Sequence, residues 1–162
     1  MSKPAMWMDG PDVKSEFAQV VKLTHPLAAT ALAFWDSRPA DGLVIGRDVP
    51  SRAIASLLSR IIVYEPVEGG RDLKVHLVGT VLRRRFGNDI TGKRMSELFS
   101  ASNFPVRLRV AMAAIEEGKP QFAVITHTHR AIGTFRIEVM QMPVLAPDGV
   151  TPWVVTFIFY LD

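Results

Sequence analysis

Three long stretches with strand character close this chain. They span residues 121–131, 133–145 and 152–161, and only the turns at Gly133 and Pro147-Asp148-Gly149 separate them. Connections this short oblige neighbouring strands to run antiparallel, so the last third must form a meander. A meander has to bury at least one face, which means the upstream chain must supply the cover.

The upstream residues read accordingly. Ile61-Ile62-Val63-Tyr64 is β-branched and aromatic, Glu68-Gly69-Gly70-Arg71 is a turn, and Leu73, Val75 and Leu77 alternate with Lys74 and His76, predicting a hairpin over residues 60–79. Leu82, Arg85 and Phe86 then fit a brief helix, with Gly87 where a left-handed residue ends it. A single turn follows over residues 96–99. Phe104, Leu108, Ala111, Met112 and Ile115 share one face of a longer helix that stops at Gly118 and Pro120. Ser51 suits the cap of a short helix carrying Ile54, Leu57 and Leu58.

Before residue 50 the pattern predicts helices. Phe17, Val20, Val21 and Thr24 fall at helical spacing after Asp12, a good cap, and Pro26 opens a second helix whose Leu27, Ala31, Phe34 and Trp35 form one apolar stripe. The expected organisation is an N-terminal helical extension over residues 1–49 and one domain over 50–162, because no repeat or hydrophilic linker divides the chain. Its 162 residues suffice for an independent core, and 48% hydrophobic against 22% charged residues exclude a disordered chain.

Composition also narrows the chemistry. Without cysteine, disulfides, thiolate metal sites, cysteine nucleophiles and cysteine-adduct flavin photochemistry are excluded. A net charge of +3 is no polyanion-binding composition by itself, so nucleic acid is not expected as a partner. The opening residues lack the apolar run of a secretory signal and nothing approaches a membrane span, so a cytoplasmic protein without a membrane partner is expected.

The order strand, strand, several short helices, one longer helix, three long strands resembles a PAS domain. The residues carry it further: Pro50-Ser51-Arg52 before the first strand, Leu77-Val78-Gly79-Thr80 closing the second, Phe86-Gly87-Asn88-Asp89 and Thr91-Gly92-Lys93 after the first short helix, and Met142-Pro143-Val144 in the penultimate strand. Over about residues 27–161 these are similar to a small bacterial PAS-domain subfamily with the pattern P-S-R, G-T, F-G-x-x-x-T-G and a late P-L, from which Val144 departs. The resemblance implies an α+β fold with a five-stranded antiparallel sheet, in spatial order 2-1-5-4-3 when those strands are counted along the chain. It also implies short helices on one face, a ligand cleft between helices and sheet, and a sensory, signal-transducing role without catalysis.

The cleft is then expected to be lined by Phe86, Met95, Leu98, Phe104, Leu108 and Met112 from the helices and by Val124, Ile137, Val139, Val155 and Phe157 from the strands. So apolar a lining suits a small apolar or aromatic ligand. Which cofactor, if any, the cleft takes is left open, although the absence of His and Cys from residues 103–118 argues against the helix-borne haem ligation of some PAS domains. Arg83-Arg84-Arg85 span a broad arc of their helix; a solvated face is the plain reading and an anion or acidic-partner contact the functional one. His127 and His129 point to one side of a strand, but two ligands are too few for a metal, and a polar edge strand explains them. Phe17, Val20, Val21, Leu27, Phe34 and Trp35 need cover, either on the outer sheet face or across a homodimer.

With Leu161-Asp162 at the end of the last strand, no output segment is expected in cis, so a stand-alone module signalling to a protein partner is the favoured reading. A ligand-free interaction or dimerisation module would use the same sequence. No catalytic residue is assigned: there is no G-x-S-x-G, H-E-x-x-H, phosphate loop or dinucleotide fingerprint. The one enzymatic alternative is a small cone-fold isomerase or dehydratase, for which a buried Glu138 or His127 would serve.

Overall fold

The structure is a computed structural model and describes residues 13–161. Six strands form one antiparallel sheet: β1 (Val13–Val20), β2 (Ile61–Val67), β3 (Asp72–Val78), β4 (Gln121–His129), β5 (Gly133–Leu145) and β6 (Pro152–Tyr160). Their spatial order is β1-β4-β5-β6-β2-β3. The five strands expected from residue 61 onward therefore stand as neighbours in the expected order, and a sixth extends the sheet beyond β4.

That sixth strand corrects the sequence reading. Residues 13–20 are not helical but pair with β4 along its length, from Val13 opposite His129 to Val20 opposite Phe122. Pairing supplies backbone partners that β4 would otherwise lack, which outweighs a weak helical spacing over so few residues. Asp12, expected as the helix cap, lies outside the described residues.

Two layers cover the sheet. On one face lie the helices α2 (Thr80–Phe86), α3 (Met95–Leu98) and α4 (Phe104–Glu117), with Leu82, Phe86, Met95, Leu98 and Ala111 packed against Ile62, Tyr64, Ile125, Ile137 and Val139. On the other face lie α1 (Pro26–Asp36), the loop carrying Leu43 and Ile45, and a 3₁₀ segment at Arg52–Arg60, which bury Met140, Met142, Val155, Phe157 and Phe159. Both faces being covered explains why β6 is buried almost throughout and its sequence, Pro-Trp-Val-Val-Thr-Phe-Ile-Phe-Tyr, shows little alternation.

Two positions fix how the helical layer joins the sheet. At Gly79, which precedes α2, a Cβ would lie 2.4 Å from the Ser59 carbonyl carbon and 2.5 Å from the Leu58 oxygen, so only glycine lets the two backbones meet. Asp72 accepts hydrogen bonds from the backbone N–H of Ser96 at 3.2 Å and from its hydroxyl, fastening α3 to the start of β3.

Candidate functional site

Between α2–α4 and the sheet lies a largely enclosed cavity of about 20 Å³. A space of that size accommodates about one water molecule. The helical layer contributes Phe86, Met95, Phe99 and Arg107, and the sheet contributes Ile62, Tyr64, Ile125, Ile137, Val139, Gln141, Thr156, Ile158 and Tyr160, with Phe17 from β1.

Its polar groups are few and buried. Arg107 is in the first half of α4 and only 9% exposed; its guanidinium lies over the Phe99 ring, 4.0 Å from the centroid. A cation facing a ring is attracted by the ring quadrupole, which offsets part of the cost of removing it from water. Tyr64 is fully enclosed on β2; burial pushes its phenol well above the usual tyrosine range, with the Arg107 charge pulling the other way, so Tyr64 stays protonated at any physiological pH. Across β5 and β6 the Thr156 hydroxyl donates to Gln141 Oε1 at 2.5 Å, occupying the Gln141 acceptor and leaving its amide group as donor.

Of the residues expected to line the cleft, Phe86, Met95, Ile137 and Val139 do so. Leu98, Phe104, Leu108 and Met112 belong to the same core but fill it away from the cavity. Val124, Val155 and Phe157 point to the opposite face, the last two among the residues under α1 and the 3₁₀ segment. The reason is parity: a choice one residue out moves a whole strand's side chains to the other side. The counterparts on the cavity side are Ile125, Thr156 and Ile158. Thr156, polar within β6, marks the parity, and Arg107 is a charge at a buried helix position.

The arginines of α2 separate. Arg85 packs its guanidinium over the Tyr160 ring at 3.8 Å, whereas Arg83 and Arg84 are exposed. Arg83 also joins Leu58, Ile61, Val63 and Leu77 in an open groove of about 520 Å³ between the 3₁₀ segment and β3.

His127 is not on an edge strand. β1 covers β4, and His127 is fully buried on the cavity side of the sheet, hydrogen-bonded through Nδ1 to the Ser15 hydroxyl at 2.8 Å and stacked on Phe135 at 5.1 Å. His129 shares that face, where its Nδ1 accepts from the Ala131 and Ile132 N–H groups in the turn. His76, on β3, packs against Trp153. Among the described residues no three His, Cys, Asp or Glu side chains cluster in a way that would hold a metal.

Glu138 is buried as well, at 2% exposure, but on the opposite face from His127, so the two do not form an acid–base pair. Its carboxylate accepts from the Thr24 N–H at 2.8 Å, the Thr24 hydroxyl at 2.9 Å and the His25 N–H at 2.6 Å, clasping the link between β1 and α1. His25 caps α1 through Nδ1, which accepts from the Leu27 N–H, and stacks on Phe159. Of the residues needing cover, Val20, Leu27, Phe34 and Trp35 pack on the outer face; Phe17 faces the cavity, and Val21 is exposed.

The sequence matches no family model and no curated protein. No helix among the described residues is long and apolar enough to cross a membrane.

Proposed function

We propose that this chain is a non-catalytic, PAS-type sensory and regulatory module that takes a small ligand between its helical layer and its sheet and signals in trans to a protein partner, as a homodimer. The observation that carries this reading is the largely enclosed cavity, which combines mostly apolar walls with a few polar groups, among them Arg107, Tyr64, Gln141 and Thr156. The strand order and the concentration of helices in one crossover support it, because a wall of two short helices and one longer one can be displaced more readily than the sheet behind it. A ligand that favours one placement of that wall would shift its population, and the partner would read the difference.

A second reading, a ligand-free protein-interaction module, draws on the small size of the cavity, about 20 Å³. Native mass spectrometry of protein purified from its own host separates the two. A reproducible non-covalent adduct, abolished when Ile125→Trp fills the cavity, is expected for the sensory module; a clean apo mass under gentle ionisation supports the ligand-free module instead.

A further inference from the structure

The cavity's chemistry is not neutral. Among the described residues its walls carry one buried cation, Arg107, and no Asp or Glu. The remaining polar groups are rich in hydrogen: Tyr64 and Tyr160 bring buried phenols, and the Gln141 amide has its oxygen engaged by Thr156. Donors therefore dominate around a guanidinium, and the low-dielectric surroundings strengthen any attraction to negative charge. A planar fork of N–H groups matches the two oxygens of a carboxylate, and the apolar remainder, Phe86, Met95 and Ile125, suits a short hydrocarbon body.

We propose that the ligand class of this cavity is a small organic carboxylate, bound with its two oxygens on Arg107 and its apolar body against Met95 and Ile125. The inference rests on the sensory reading above and names the ligand chemistry of the same site. Because the cavity holds only about 20 Å³, a carboxylate of several heavy atoms has to push the wall outward. Met95 yields most easily, since its unbranched thioether repacks at low cost and α3, which carries it, is a single turn. The charge that selects the ligand thus lies beside the element that occupancy would move.

The test is a titration of the full chain, followed through the methyl resonances of Met95, Ile125 and Ile137, with acetate, butyrate and benzoate, each paired with its neutral amide and with sodium chloride at matched ionic strength. At least one carboxylate is expected to saturate these shifts, with its amide weaker by about tenfold or more. Arg107→Met is expected to abolish the difference between acid and amide, and Arg107→Lys to restore it in part. If Arg107→Met fails to fold, Tyr64→Phe, which keeps the ring and removes one donor, is expected to reduce selectivity for the carboxylate. Chloride acting as well as the acids would identify a simple ion site and overturn the organic ligand. Amides binding as tightly as acids would overturn the anion class while leaving a sensory cavity in place. No response to any probe overturns the carboxylate inference, and the sensory reading then stands or falls on the co-purified adduct alone.

Discussion

Removing the Glu138 carboxylate tests how the N-terminal segment is held on the sheet. Its two oxygens take three donors, the N–H and hydroxyl of Thr24 and the N–H of His25, all between 2.6 and 2.9 Å. Each buried donor left without a partner costs about 1–3 kcal/mol. Simple addition overshoots, because the Thr24–His25 link is only partly buried and can move to water, so Glu138→Ala is expected to lose about 3 kcal/mol. Glu138→Gln keeps one acceptor oxygen but turns an amide donor toward N–H groups, for an expected loss of about 1–2 kcal/mol. Urea unfolding of the two variants beside the parent, with an unchanged denaturant slope, measures both. Amide exchange should quicken first at Thr24 and His25. A loss below about 0.5 kcal/mol for Glu138→Ala would show that the clasp contributes nothing net and refute its role in holding the N-terminal segment.

Three further outcomes follow from other parts of the fold. Gly79→Ala places a methyl group 2.4 Å from backbone at Ser59, so a loss of about 2 kcal/mol or more is expected in thermal melts; an unchanged midpoint would contradict the close approach. Deleting residues 1–20 strips β1 from β4 and leaves an open strand edge, and size-exclusion chromatography should show larger species than the full chain; an unaltered elution profile would refute the covering role. Asp148 is exposed, and hydrogen bonds from the Thr151 hydroxyl and the N–H groups of Thr151 and Val150 hold its carboxyl below the ordinary 3.8. A depressed acid stabilises the fold fully above its unfolded value and loses that contribution as pH falls through the folded one. Asp148→Ala should therefore narrow its stability deficit below pH 3.8, and a deficit independent of pH would rule out this linkage.

Much of the sheet was legible because local signals agreed. Tight turns at Gly133 and at Pro147-Asp148-Gly149 bounded the final meander, and alternation in residues 73–78 gave the hairpin. The first strand was not legible, since its stability comes from pairing with β4, more than a hundred residues away, while the sequence Val-Lys-Ser-Glu-Phe-Ala-Gln-Val satisfies neither period strongly. The same strand hid the true setting of His127, whose burial depends on Ser15 and Phe135 beside it. In the candidate site, the parity of β5 is legible because Arg136 and Glu138 interrupt its apolar residues, whereas β6 is apolar on both faces and β4 mixes small and polar residues, which hides that Val155, Phe157 and Val124 face away from the cavity. Arg107 gives no signal in the sequence, because a charge inside an amphipathic helix ordinarily faces water; packing of α4 on the sheet buries it instead.

A ligand held in the cavity under the helical layer, as proposed, would restrain that layer. Hydrogen exchange measures this directly on protein purified from its own host, before and after unfolding and dialysis to remove small molecules. Stripping is expected to speed exchange in residues 80–99 and 104–117 while β5 and β6 stay as they were. Identical exchange in both preparations, from a sample whose native mass shows an adduct lost on stripping, would contradict it.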